Sequence, residues 1–160
     1  MENRIDKTWI IGLANDLGKM KEFRDNLADE NNDKDNISRG KDKRGKDKHN
    51  NKFNKNDKYV NTKRVGTSQL RTLASECKAA QCCDEIDLLI KYKAAKSAEW
   101  RELINNKPFY EHILDQCDKI RRKVGSDNEA EALYMMSLFF GYLYQFARVW
   151  RVESAADKQA

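Results

Sequence analysis

Histidines, cysteines and clustered acids are the side chains of this sequence that could perform catalysis or bind a metal ion. His49 and His112 stand far apart, and neither belongs to a His-Glu-x-x-His spacing. The acids between Glu76 and Asp87 are close in sequence, but the dipole of a helix already favours acids at its first turn. There is no glycine-rich phosphate loop and no Gly-x-Ser-x-Gly motif. We therefore expect no catalytic residue, no metal site and no cofactor.

The four cysteines are better explained by packing than by chemistry. Cys77, Cys82, Cys83 and Cys117 lack the paired two-residue gaps of a zinc ribbon. Cys77 and Cys117 fall on apolar stripes of predicted helices, where a thiol behaves as a small apolar side chain. We expect reduced thiols in the core, as is usual for a cytosolic protein.

Lysine and arginine side chains on predicted helices are the remaining candidates, because they can bind phosphate groups without reading bases. Arg71 and Lys78 are seven residues apart and so share one face of their helix. Cations at the end of the third bundle helix also suit its dipole, which is the alternative explanation there. The eight candidate nucleic-acid contacts are Arg71, Lys78, Lys91, Lys93, Lys96, Arg101, Arg121 and Arg122.

The net charge of +5 is distributed unevenly along the chain. Residues 31–66 hold twelve Lys or Arg and five Asp, a balance of +7, and the rest of the chain is close to neutral. No apolar run reaches the roughly 18 residues that a membrane span needs, and the first residues do not resemble a secretory signal. We expect a soluble cytoplasmic protein whose nucleic-acid contacts on the helices are local.

The spacing of apolar residues predicts an all-α protein, a bundle of about five helices. We expect an N-terminal helix over residues 1–28, a basic Asn/Lys-rich disordered linker over 29–65, the helical bundle over 66–153 and a disordered tail over 154–160. The linker has too few apolar residues to offset an ordering entropy of about 1–2 kcal/mol per residue. Its charge suits an arm that lies along nucleic acid, and a solvated spacer without a partner is the alternative.

Cap and turn residues divide the bundle into four helices. The expected signals, in chain order, are an N-cap at Thr67 or Ser68, an N-cap at Asp84, Pro108 in a first turn, a stop at Gly125 and a capping box from Ser126 to Glu129. We expect the second bundle helix to reach Ile104 and the last one to end near Val152. The last helix has Leu133, Met136, Phe140, Leu143, Ala147 and Trp150 on one side, which predicts a central position.

Three segments resemble the small-subunit family of type III-A (Csm) CRISPR effector complexes. Gly-Thr-Ser-Gln-Leu-Arg at 66–71 is similar to the motif that opens the first shared helix of that family. Ile-Lys-Tyr-Lys-Ala-Ala-Lys at 90–96 resembles a family segment with two lysines, here Lys91 and Lys93, and Lys96 stands where the family usually has an aromatic residue. Phe-Ala-Arg-Val-Trp-Arg at 146–151 resembles the closing run.

The resemblance implies a helical subunit that stacks head to tail in several copies beside other Cas effector subunits. Such subunits contact the duplex of CRISPR RNA and target RNA through basic side chains, and they do not cut RNA. Transferred by position, Arg71 is an RNA contact and Lys91 and Lys93 are candidates.

Two other functions are compatible with the sequence. The apolar last helix could dock on a partner protein, in a helical interaction module that binds no nucleic acid. A DNA-binding helical regulator is less suitable, because the helices joined at Gly125 are long and apolar for a recognition helix.

Overall fold

Six α-helices are present in the computed structural model, which describes residues 6–28 and 64–159. They are α1 (Lys7–Gly18), α2 (Lys21–Asp25), α3 (Thr67–Ala79), α4 (Cys83–Lys96), α5 (Phe109–Val124) and α6 (Glu129–Gln159). The predicted all-α bundle is confirmed. None of the helices in these ranges has the length and apolar character needed to cross a membrane.

Two short ladders connect the helices. β1 (Leu27–Ala28) pairs in parallel with β2 (Val65–Gly66), and β3 (Leu103–Ile104) pairs antiparallel with β4 (Lys107–Pro108). The first ladder brings together the chain on either side of residues 29–63. The predicted linker over residues 29–65 therefore lies outside the described residues, apart from its last two positions.

Helix α6 is the centre of the bundle. Its predicted apolar side is buried, from Leu133 to Trp150, and most of its contacts are with α3 and α1. Leu70 and Leu73 of α3 are completely buried. Each such side chain contributes about 1.5–3 kcal/mol relative to an exposed one, so the α3–α6 contact is a major source of stability.

An aromatic cluster attaches the N-terminal helices to the bundle. The ring of Phe23, on α2, stacks on Phe109 of α5 with 4.7 Å between centroids. Trp100 meets Phe109 edge to face at 5.4 Å. A ring nitrogen of His112 lies 2.7 Å from the carbonyl oxygen of Ile104, so this histidine has a structural hydrogen bond. The N-terminal segment thus packs on its own chain.

The first predicted helix is two helices, separated at Lys19 and Met20. Helix α1 ends at Gly18, whose backbone lies against the ring of Trp150. Met20 is extended, and its carbonyl accepts the first hydrogen bonds of α2. Phe23 follows the break and stacks on Phe109 of α5.

The second bundle helix ends at Lys96 and not at the expected Ile104. Ser97 is extended, with φ −132° and ψ 123°, and a 3-10 turn follows at Ala98–Arg101. In this turn the indole Nε1 of Trp100 donates to Oε1 of Gln69 at 3.0 Å. Trp100 and Ile104 are both buried; Trp100 lies in this turn, and Ile104 lies in β3, which follows it.

The N-caps of α3 and α4 differ from those expected. Gly66 caps α3 and Cys82 caps α4, neither with a side-chain hydrogen bond. Thr67 is therefore the first residue of α3, and Asp84 lies in the first turn of α4. Pairing of Gly66 with Ala28 in the ladder supplies the extended backbone before α3.

The ends of α5 and α6 are determined by local chemistry. Gly125 has φ +92°, a left-handed value that favours glycine, and it ends α5 as predicted. The capping box of α6 is shifted by two residues, because Oδ1 of Asn128 accepts from the N–H of Glu131 at 3.4 Å. The expected tail over 154–160 is helical as far as Gln159. Its residues include neither Gly nor Pro, so nothing in them stops a helix.

Candidate nucleic-acid interface

Five of the eight predicted contacts are exposed on the surface without an ion-pair partner among the described residues, and a sixth, Arg122, is exposed but paired with Asp118. Arg71 and Lys78 lie on α3, Lys91 and Lys96 on α4, and Arg101 on the 3-10 turn. None of the five forms an ion pair with another residue in 6–28 or 64–159. Cations without a carboxylate partner keep their full charge for an external anion.

Arg71 shares an aromatic ring with Arg148, which is not among the eight predicted contacts. Its Cζ lies 5.3 Å from the ring centroid of Tyr144, and Cζ of Arg148 lies 5.9 Å from the same centroid. Nη1 of Arg148 also approaches the Tyr144 hydroxyl at 3.4 Å. The four-residue spacing of Tyr144 and Arg148 was visible in the sequence, but their meeting with Arg71 depends on the packing of α3 on α6.

The outer face of α4 interleaves cations with exposed apolar side chains. Nζ of Lys96 lies 5.2 Å from the ring centroid of Tyr92, which is 56% exposed. Leu88, one turn earlier, is 70% exposed. Aromatic rings beside cations suit single-stranded nucleic acid, where bases stack and phosphates pair with the cations. The same face would also suit a protein partner.

Lys93 is half-buried, in contrast to its neighbours on α4. Its Nζ lies 5.8 Å from the ring centroid of Trp100. Burial lowers the pKa of Lys93, although the nearby carboxylate of Glu76 acts in the opposite direction. This lysine is held against the aromatic cluster and is less accessible to a nucleic acid than Lys91.

Arg121 and Arg122 are already paired with carboxylates. The guanidinium of Arg121 donates to Asp87 at 2.8 Å and to Asp84 at 3.1 Å, which joins α5 to α4. Burial raises the pKa of Asp87, and the charge of Arg121 opposes that shift. Arg122 pairs with Asp118 at 3.4 Å. The structure thus gives Arg121 a role in joining helices.

An open cleft of about 410 Å³ lies beside this ion-pair network. Arg121 and Arg122 line it together with Asp118 and Glu129. The two positive and two negative charges of these residues cancel, so the cleft has no net positive charge. It adds nothing to the basic surface of α3 and α4.

Three of the four cysteines lie in the core. Cys77, Cys83 and Cys117 are buried. Burial raises the pKa of Cys77 to about 12 and raises that of Cys117 as well. Within the described ranges, no group of three or more His, Cys, Asp or Glu residues is arranged to hold a metal ion.

The exposed cations of α3, α4 and α6 are therefore the feature of this surface best suited to bind a ligand. Comparison with known proteins adds no family to this description, because no protein-family model, no curated protein and no solved structure matches the chain significantly.

Proposed function

We propose that this protein is a non-catalytic small subunit of a type III CRISPR RNA-guided interference complex in the cytoplasm. In that role it contacts the guide–target RNA duplex through basic side chains of α3 and α4. The observation that carries the proposal is the exposure of Arg71, Lys91 and Lys96 without ion-pair partners in the described residues.

The segments that resemble the family coincide with this surface. Residues 66–71 open α3 and end at Arg71, and residues 90–96 form the second half of α4. Residues 146–151 lie on α6 and include Arg148, which meets Arg71 on the ring of Tyr144. The first and last segments therefore converge at one place on the surface.

Few phosphate contacts per molecule imply weak binding by a single copy. Each phosphate neutralised by a cation releases counterions, so affinity falls steeply with salt. Several copies stacked head to tail along one RNA strand would add their contacts and bind much more tightly than one. The proposal therefore includes self-association and other Cas effector subunits as partners.

Titration of the purified protein with a labelled guide–target duplex at several salt concentrations tests the RNA contact. We expect the double charge reversal Arg71→Glu with Lys91→Glu to weaken binding at least tenfold and to leave the helix content unchanged. The control is Lys7→Glu with Lys119→Glu, which changes the net charge equally at two other exposed residues. Equal losses in the two double variants would show a general charge effect and contradict the proposed face.

Co-purification of the native protein tests its assignment to a complex. We expect CRISPR RNA and several larger Cas subunits in the same particle. A protein that purifies alone from cells expressing the whole system would contradict the assignment, even if it binds RNA in vitro.

A protein–protein interaction module without RNA binding is the second candidate. The observation that favours it is the exposure of Leu88 and Tyr92 on α4. The apolar side of α6 is buried in the bundle, and the exposed large apolar residues of this helix are Tyr134, Val149 and Val152. Leu88→Asn should abolish partner binding in this case, whereas RNA affinity should depend on Lys91.

A further inference from the structure

The site formed by Arg71, Tyr144 and Arg148 combines two like charges on one ring. The two centroid distances limit the separation of the Cζ atoms to about 11 Å. Neither guanidinium has an ion-pair partner among the described residues. Because neither positive charge is neutralised by a described carboxylate, a bound anion would be attracted by both guanidiniums.

Rigid backbone supports all three side chains. Arg71 follows Leu70, which is fully buried against α6, and Arg148 follows the buried Ala147. The ring of Tyr144, on α6, contacts Arg71 of α3, and these two helices make the most extensive contact in the bundle. The guanidiniums are therefore presented from fixed positions and not from a loop.

Tyr144 orients both arginines before a ligand arrives. A guanidinium that already rests on a ring loses less side-chain freedom when it binds an anion. Arginine also presents a planar set of donors that matches two oxygens of a phosphate group. Tyr144 is thus a positioning residue that increases the affinity of its neighbours without carrying charge.

We propose that Arg71 and Arg148 form a clamp for neighbouring phosphodiester groups of one RNA strand, with Tyr144 as its positioning residue. The clamp rests on the proposed function and adds Arg148 and Tyr144 to its RNA-contacting residues. Two guanidiniums on a shared ring suit two singly charged phosphates in succession. A phosphorylated peptide, by contrast, offers one dianion that needs cations converging on a single point.

The test uses the full-length protein, a labelled single-stranded oligouridylate and a salt titration. Arg71→Gln and Arg148→Gln should each weaken binding about tenfold, and each should reduce the salt slope by about 0.7, the value for one phosphate contact on a single strand. Tyr144→Leu should weaken binding about as much, although it changes no charge. Tyr144→Phe keeps the ring and should stay within about twofold, and Lys119→Gln is the matched control.

If Arg148→Gln or Tyr144→Leu binds RNA with the affinity and salt slope of the wild type, the clamp is wrong and the proposed function still stands. A wild-type protein that binds no RNA overturns the proposed function and the clamp together. A phosphoserine peptide bound more tightly than the oligouridylate also overturns the clamp. Helix content measured on every variant excludes unfolding, and a folded Arg148→Gln variant keeps the test decisive if Tyr144→Leu does not fold.

Discussion

The backbone of Gly18 lies against the indole ring of Trp150, and a β-carbon at this glycine would overlap the ring. Both residues are buried. The contact joins the end of α1 to α6 across most of the chain. Because only glycine allows so close an approach, a larger residue at this position would disturb the docking of α1 on α6.

Gly18→Ala should lower the free energy of unfolding by about 1–3 kcal/mol, the usual effect of overpacking a core. Gly12→Ala is the matched control, because open space surrounds Gly12 in the same helix. It should raise stability by about 0.5–1 kcal/mol through helix propensity. Urea unfolding of both variants measures the difference. Two stabilised variants would show that Trp150 moves aside without cost.

Arg121→Ala should lower stability by about 1–2 kcal/mol, because it leaves the half-buried Asp87 without its charged donor. Arg122→Ala, whose side chain is 80% exposed, should cost at most about 0.5 kcal/mol. Thermal unfolding compares the two. RNA affinity should change little in Arg121→Ala, and a large loss there would place this arginine in the interface after all.

Lys93→Met should stabilise the protein at neutral pH. The pKa of Lys93 is lowered in the folded state, so the unfolded chain binds this proton more tightly and stability rises with pH as the lysine loses it. The advantage of the methionine should therefore shrink as pH rises and vanish above about 10.5, the ordinary pKa of the group. Denaturant melts at several pH values measure it.

Lys91→Met is the control for that experiment, because Lys91 is exposed on the same helix. Its stability should stay close to that of the wild type at every pH. If both methionine variants gain equally, the cause is added apolar area and not the removal of a buried charge.

Cys82 should react first with a thiol reagent, because it is half-buried while the other three cysteines are buried. The pKa of Cys77, raised to about 12, keeps that thiol protonated and unreactive at neutral pH. One equivalent should be modified rapidly in the native protein and four in denaturant. Mass spectrometry after brief alkylation identifies the site, and rapid labelling of Cys117 would contradict the packing described.

Replacement of residues 29–63 by a Gly/Ser linker of about eight residues, long enough at 3.3 Å per residue to join the two strands, should leave the fold intact. Parallel pairing of β1 with β2 already holds the ends together, and loop length changes stability by only about 0.6 kcal/mol per doubling. Circular dichroism measures the result. RNA affinity of the same variant distinguishes the two functions considered for this segment. If the segment is a basic arm that binds RNA, its removal should weaken RNA binding. If it is a spacer, RNA affinity should not change.

The core was predictable because apolar spacing is a local property of the sequence. Leu133, Met136 and Phe140 recur at helical intervals and are buried as expected. The same spacing could not show where helices break. Ser97 leaves α4 so that Trp100 can reach Gln69, and that hydrogen bond joins residues 31 positions apart.

The sequence could predict which basic residues of the candidate site are exposed. It could not predict which of them form ion pairs with carboxylates. Exposure of Arg71 and Lys91 followed from their positions beside the buried stripes. Neutralisation of Arg121 by Asp84 and Asp87 depends on contacts between two helices. Arg148 was missed for the same reason, because its relation to Arg71 exists only after α3 packs on α6.

The parallel ladder at Leu27 and Val65 also implies that this protein can be divided in two. Ile10, Leu17 and Phe23 are buried among residues from the other side of the 29–63 segment, so a proteolytic cut in that segment would leave the two pieces held together by the ladder and by core contacts. The N-terminal piece would then be a separate fragment that the rest of the chain binds in trans to complete its core. The two fragments should therefore reassemble when they are mixed. The dissociation constant of the two fragments would measure how strongly α1 and α2 bind to the rest of the bundle.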